Sequence, residues 1–339
     1  MIQAHSSETA PHAAKLRRRV LRALFLLVAA GLLYLALAGL DWHALFMSLV
    51  TLSPYWLAAS LAALLVALTV RAARWSMLLA PESGPCLVAA FVGEAIGDLG
   101  NSFLPARAGE AGRTVWLARL LGVRLSFVVG TAAVERVSDA IFLAIVTFAL
   151  MLTIPQVPLW LMVAALIFLL LGLTALAILS FLPAFSHLFT HLAKLLRLPH
   201  RLAHRGIGML HEIGTGSRSL LHHPARIAGY IGLTAALWVS DAAAILYLAY
   251  AFHDSLEFSQ ALLFLAALGL SSAVPSTPGY IGVFQFVAVA VLVPFGISHA
   301  HALAIVLVYQ ASTILLQLLW GGLGWLALQY RGVGAGTGD

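Results

Sequence analysis

The sequence predicts an all-α polytopic membrane protein of about six full spans plus two broken or re-entrant helical elements, laid out as inverted halves. Three observations predict it. Apolar residues make up 62% of the 339 residues, charged residues only 9%, and mean hydropathy is +0.98. A soluble domain carries roughly 25% charged and about 45–50% apolar residues, so these charges are too few to cover a soluble surface. The apolar residues also fall in runs of spanning length, about 20 residues for a ~30 Å hydrocarbon core. Two of the runs are interrupted by glycine, proline and acidic residues. The same composition excludes disorder, collagen and coiled coil. A single cysteine, Cys86, excludes an internal disulfide framework and any multi-thiolate metal site, and no cofactor is expected. The net charge of +6 in so apolar a chain points to anionic lipid head groups and not to nucleic acid.

Candidate spans are 21–40, 55–72, 126–150, 158–182, 226–251 and 302–328. Lysine and arginine bias orients them. Lys15, Arg17, Arg18, Arg19 and Arg22 place the amino terminus in the cytoplasm, and no cleavage site follows the first run. The link 41–54 carries only Asp41 and goes outside; Arg71 and Arg74 then follow the second span on the inside. The stretch 106–124 holds Arg107, Arg113, Arg119 and Arg124, so it stays inside only if 87–105 dips in and returns. Gly97-Asp98-Leu99-Gly100-Asn101 reads as the break in that element. Irregular backbone at membrane depth needs protein or a wet cavity around it. The segment 184–225 is basic and belongs inside, and part of it, with leucines at 188, 192, 195 and 196 at helical spacing, reads as an interfacial amphipathic helix. Residues 259–297 form a hydrophobic hairpin around Pro275-Ser276-Thr277-Pro278-Gly279, and the last span ends inside near Arg331. Spans flanking a broken element in each half resemble the inverted-repeat layout of transporters, with no repeat visible at residue level. The domain reading is a basic cytoplasmic tail (1–20), one transmembrane domain (21–330) and a carboxyl-terminal tail (331–339).

Charge inside a span is expensive and normally faces a cavity or a partner. Glu94 and Asp98 lie four apart on one helical face, followed by Asn101, Arg107, Glu110 and Arg113. Glu135, Arg136 and Asp139 sit near mid-bilayer, where Arg136 and Asp139 have pairing spacing and Glu135 and Asp139 share a face. Asp241 lies within the span 226–251. The Pro275–Gly282 turn, containing Pro278 and Gly279, exposes backbone groups beside Gln285, with Gln310 and Gln317 further on. Each set has a structural alternative: an ion cluster that fixes packing, positive-inside anchoring for Arg107 and Arg113, a paired core residue for Asp241, a plain tight turn at 275–282. His187, His191, His200, His204 and His211 read as a solvated or head-group-facing helix, and no metal site is expected. Arg107 and Arg113, separated by Gly109 and Gly112, have the chemistry to grip phosphate bidentately. Glu110 is expected to orient an arginine or to pair with Arg71 or Arg74.

Taken in order, these segments resemble the flippase-like transmembrane family, best known as the membrane domain of lysylphosphatidylglycerol synthases. The matching residues are Arg71-Ala-Ala-Arg74-Trp75, Gly93-Glu94, Asn101-Ser-Phe-Leu-Pro105-x-Arg107-x-Gly109-Glu110-x-x-Arg113, Glu135-Arg136-x-x-Asp139 and Pro275-Ser-Thr-Pro278-Gly279-x-x-Gly282. The resemblance covers about 21–330. It implies a bacterial inner-membrane protein that handles lipids, in a family whose membrane domain moves lipid between leaflets while a separate soluble domain makes it. The chain ends soon after its last span, so the synthase activity is not expected here. Stand-alone members are associated with hopanoid or glycolipid pathways. Gln285 stands where the family often has an acidic residue, which argues against a proton-coupled role at that position.

The function expected is a lipid flippase or lipid transporter moving a polar or phosphate-bearing lipid. The alternative is a non-catalytic membrane subunit of a lipid or glycolipid biosynthetic complex. Enzymatic activity is not expected. Ser217-Arg218 with His222 superficially resembles a lipid-phosphatase motif, but its partner motifs are missing, and there is no P-loop or Gly-x-Ser-x-Gly. The expected partners are membrane lipids, anionic or phosphate-bearing, together with lipid-biosynthesis enzymes and further copies of the chain.

Overall fold

Leucine and alanine dominate the apolar runs, and both are strong helix formers. The computed structural model describes residues 27, 30–104, 107–154, 157–181, 224–272 and 277–330, and every regular element among them is helical. In chain order these are α1 (Ala30–Leu37), α2 (Trp42–Val50), α3 (Pro54–Ser83), α4 (Leu87–Phe103), α5 (Ala108–Leu121), α6 (Leu125–Met151), α7 (Leu159–Phe181) and α8 (Pro224–Ala251). They continue with α9 (Phe258–Ser271), a 3-10 turn Pro278–Tyr280, α10 (Val283–Leu292) and α11 (His299–Tyr330). The basic tail 1–20, the segment 184–225 up to residue 223 with its histidines, Pro275 and the tail 331–339 lie outside the described residues.

Five stretches are long and apolar enough to cross a membrane: Pro54–Ser83, Leu159–Ile178, Pro224–Ala251, Pro278–Phe295 and His299–Tyr330. A sixth is α1 with α2, which pass the test together but are bent by 82°. The link 41–54 is therefore not a plain loop: Asp41 accepts the Ala44 N–H at 3.0 Å and starts α2. Helix α6 has 27 residues, about 40 Å of length, and carries Glu135, Arg136 and Asp139 at its middle.

Two sequence expectations change here. Arg71 and Arg74 do not follow a span; α3 runs on through them to Ser83, because the residues between them are good helix formers and their charges meet partners inside the bundle. The run Gly97–Asn101 does not break α4, which is continuous to Phe103, and α5 packs antiparallel to it. A Cβ at Gly100 would lie 2.5 Å from the Gly109 Cα, so Gly97, Gly100 and Gly109 let two helices touch backbone to backbone.

The second hairpin pairs α9 with α10. At 14 residues α9 spans about 21 Å, short of a full crossing. It is buried nearly all round, from Ala261 to Ser271, as a helix enclosed by others must be. Long α3 and α8 pack antiparallel through small residues, with the Ser60 hydroxyl donating to the Ala244 carbonyl at 2.9 Å. The tips of the two hairpins meet: the 3-10 turn packs on α4, and Gly279 lies against the Ser102 carbonyl.

Candidate functional site

Where the hairpin tips meet, the backbone takes unusual conformations. Arg107 at the start of α5 has φ 54°, Tyr280 has φ 58°, and Gly279 and Gly282 have φ 68° and 90°. Left-handed backbone costs a non-glycine residue about 1–3 kcal/mol and survives only where its surroundings fix it. Arg107 is fixed by its guanidinium, which donates to the Ser272 carbonyl at 2.7 Å and hydroxyl at 2.8 Å on the opposite tip and lies over the Tyr280 ring at 5.9 Å. Behind the second tip, Gln285 accepts the Gly282 N–H at 2.7 Å and donates to Gln310, whose own amide donates to the Gly279 carbonyl.

The meeting tips enclose a cavity of about 200 Å³ between α3, α4, α8, α9 and α11. Its ionisable walls are Arg71, Arg107 and Arg136 against Asp98, Glu110 and Asp241. Arg71 reaches Asp98 at 3.0 Å and Asp241 at 3.6 Å, while Glu110 bridges Arg136 at 3.2 Å and Arg107 at 3.4 Å. Tyr309 donates to Asp241 and Gln317 donates to Asp98. The charges balance, yet polar atoms remain over. Arg136 Nε, Trp238 Nε1 and Asn101 Oδ1, all on cavity residues, are buried without a partner among the described residues. Phe103, Leu104 and Ile281, adjacent in sequence to the polar tips, expose apolar surface.

A second ionic group lies behind the cavity and is sealed. Arg74 grips Asp139 with both terminal nitrogens and reaches Glu135 at 3.2 Å. Arg113 pairs with Glu94 and with Glu135 at 2.9 Å, and its guanidinium stacks 4.3 Å over the Trp75 ring. Glu135 thus joins the two arginines. Arg74, Arg113 and Glu135 have at most 1% of their side chains exposed.

The family model of the lysylphosphatidylglycerol synthase transmembrane region matches residues 22–321. The chain belongs to this family. With its apolar helices, that makes it a multi-pass membrane protein. Neither the curated proteins nor the solved structures gave a match.

This family member sorts the residues singled out from sequence into three groups. Arg71, Asp98, Asn101, Arg107, Glu110, Arg136, Asp241 and Gly279 line the cavity. Arg74, Glu94, Arg113, Glu135 and Asp139 form the sealed group. Gly282 and Gln285 brace the second tip, and Pro278 opens its 3-10 turn. Arg113 therefore does not join Arg107 at one ligand: it is 1% exposed, and two carboxylates take its terminal nitrogens. Nor does Arg136 pair with Asp139. Arg74 takes Asp139, because α3 brings a guanidinium to that face of α6, and Arg136 points to Glu110 instead. Glu110 orients Arg107 as expected but pairs with neither Arg71 nor Arg74. Gly109 serves helix contact, while Gly112 has open space around it.

Sequence reasoning missed Ser272, Tyr280 and Tyr309. The available signals were Ser271-Ser272 closing an apolar run and Tyr309-Gln310 as a polar pair inside a span.

Proposed function

We propose that the chain moves a polar lipid between the leaflets of a bacterial inner membrane, with both termini in the cytoplasm and no chemistry performed on the lipid. The head group occupies the cavity between the hairpin tips, and the tails stay in the bilayer. The observation that carries this reading is the cavity itself: three arginines, three carboxylates and unmatched donors and acceptors inside an otherwise apolar helical protein, flanked by exposed apolar residues. Such a place suits an amphiphile's head, because buried polar groups without partners cost about 1–3 kcal/mol each and a polar ligand relieves that cost. The balanced lining suits a head group with both hydrogen-bond donors and acceptors, such as a phosphate ester carrying an amine or hydroxyls. Hopanoid glycolipids and phospholipids both fall within that chemistry.

The test is purified protein in liposomes carrying a fluorescent reporter lipid, with an impermeant quencher added outside. Protein-containing vesicles are expected to expose inner-leaflet reporter faster than protein-free ones across glycerophospholipid and glycolipid reporters. Equal rates with every reporter would overturn transport and favour a non-catalytic partner subunit. For orientation, Gly112→Cys in a Cys86→Ser background is expected to resist an impermeant thiol reagent in intact cells and to react after permeabilisation.

A further inference from the structure

Two buried acceptors lie just behind the cavity. Glu94 on α4 and Gln317 on α11 are 2% and 3% exposed. One Glu94 oxygen takes the Arg113 guanidinium; the other, Oε1, has no partner among the described residues, and neither has Gln317 Oε1. Both side chains line one small space of about 10 Å³, whose other walls are Leu68, Phe91 and Ala95. That is the lower edge of what holds a single water. Two buried acceptors thus border one largely apolar space, and each lacks the donor that burial demands.

The surrounding charges do not supply that donor. Helix α4 packs against α3, α5, α11 and the 3-10 turn. Arg71 faces Glu94 from α3 and Arg113 from α5; Glu135 of α6 lies beyond Arg113, and Asp98 is one turn along α4. The turn brings only Tyr280, and α11 has no Asp, Glu, Lys or Arg. Within the sealed group two guanidiniums, Arg74 and Arg113, meet three carboxylates, Glu94, Glu135 and Asp139. The group is one positive charge short, and Glu94 is the member with a free oxygen.

We propose that Glu94 and Gln317 form a binding site for one exchangeable proton, through which head-group transport is coupled to a proton gradient. The proton sits on Glu94 Oε1 and is donated toward Gln317 Oε1, directly or through one water. It neutralises the surplus negative charge and satisfies both acceptors. Gln317 carries the state of this site to the cavity, because its amide nitrogen donates to Asp98 Oδ2 at 3.0 Å and the same oxygen holds Arg71. On release the Glu94 O–H bond breaks, the proton passes to cavity water or the Asp98 carboxylate, and Glu94 is left a carboxylate held by Arg113. The site itself stands on the geometry; the coupling rests on the transport reading.

Infrared spectra of the purified protein test the site without any transport. The carbonyl stretch of a protonated carboxyl is expected in wild type, lost in Glu94→Gln and displaced in Gln317→Leu. No such band in wild type, or a band unchanged in Glu94→Gln, overturns the proposal. In proteoliposomes an imposed pH gradient is expected to change wild-type reporter-lipid movement severalfold and to leave Glu94→Gln indifferent to it. Equal gradient dependence in both overturns the coupling. Wild type that moves no lipid under any gradient overturns the transport reading, and the infrared band still decides the proton site.

Discussion

Arg107 and Arg113 lie in one hairpin, and they do opposite things. Arg113, inside α5, is enclosed by Glu94, Glu135 and the face of Trp75. Arg107, at the tip, is about one-third exposed, crosses to the opposite hairpin and lines a cavity. The same contrast separates the two ionic groups as wholes. The sealed group spends both its guanidiniums on its own carboxylates and fastens α3, α4, α5 and α6 together. The cavity group balances three arginines with three carboxylates and keeps its unmatched atoms, Arg136 Nε, Trp238 Nε1 and Asn101 Oδ1, on residues that wall an open space. Pairing alone therefore does not mark a binding site; unspent hydrogen-bonding capacity beside a cavity does.

The contrast breaks most visibly at Arg74. Removing one partner of a buried ion pair costs about 3–5 kcal/mol, because the other charge stays buried and unpaired. Arg74→Leu strands Asp139, so the variant is expected to lose most of its folded yield, read as monodisperse protein and thermal midpoint in detergent. Arg113→Lys keeps the charge, but one ammonium replaces a planar fork that spans two carboxylates and stacks on an indole. It is expected to lower stability by about 1–2 kcal/mol. A wild-type melting curve for Arg113→Lys with lost transport would instead make Arg113 a head-group ligand.

The cavity side inverts that pattern. Arg136→Leu leaves Glu110 with Arg107 and removes no partner from Glu135 or Asp139. Stability is expected to stay within about 1 kcal/mol of wild type. Reporter-lipid movement is expected to fall about tenfold or more, the scale of one lost charged hydrogen bond. Arg119, exposed near the end of α5, is the comparison at the small end. Arg119→Lys is expected to change stability by less than about 0.5 kcal/mol and transport not at all, measured at matched expression.

The sequence shows where helices are but not which faces meet. Apolar runs of spanning length are read directly from composition, and α6, α7 and α8 begin and end within about two residues of the runs that announce them. The run 55–72 stops short of Ser83 because Arg71 and Arg74 read as a membrane edge, and charge marks an edge only when it has no partner inside. Gly97 and Gly100 in sequence suggest a helix break, yet three-residue spacing also puts small residues on one helix face, and only the return of α5 decides between the two. Glu94, Glu135 and Asp139 stood out as buried acids, but their partners come from other helices, α3 and α5, so a pairing rule within one helix assigned Arg136 to Asp139 wrongly. Ser272, Tyr280 and Tyr309 carry no charge, so a search for charge inside spans passes over them, although Tyr280 lies within the Pro275–Gly282 turn and Ser272 and Tyr309 each adjoin another polar residue.

The most direct measurement of head-group occupancy is the lipid that stays with the protein. Wild type, Arg107→Ala and Arg119→Lys would be purified in mild detergent, and their bound lipids compared by native mass spectrometry. Arg107 joins the two hairpin tips and faces the cavity, so its loss removes a wall of the site while the sealed group still holds the helices together. A polar lipid retained by wild type and Arg119→Lys and lost from Arg107→Ala is the result expected. The same lipid retained in equal amount by Arg107→Ala would contradict a head group seated between the tips.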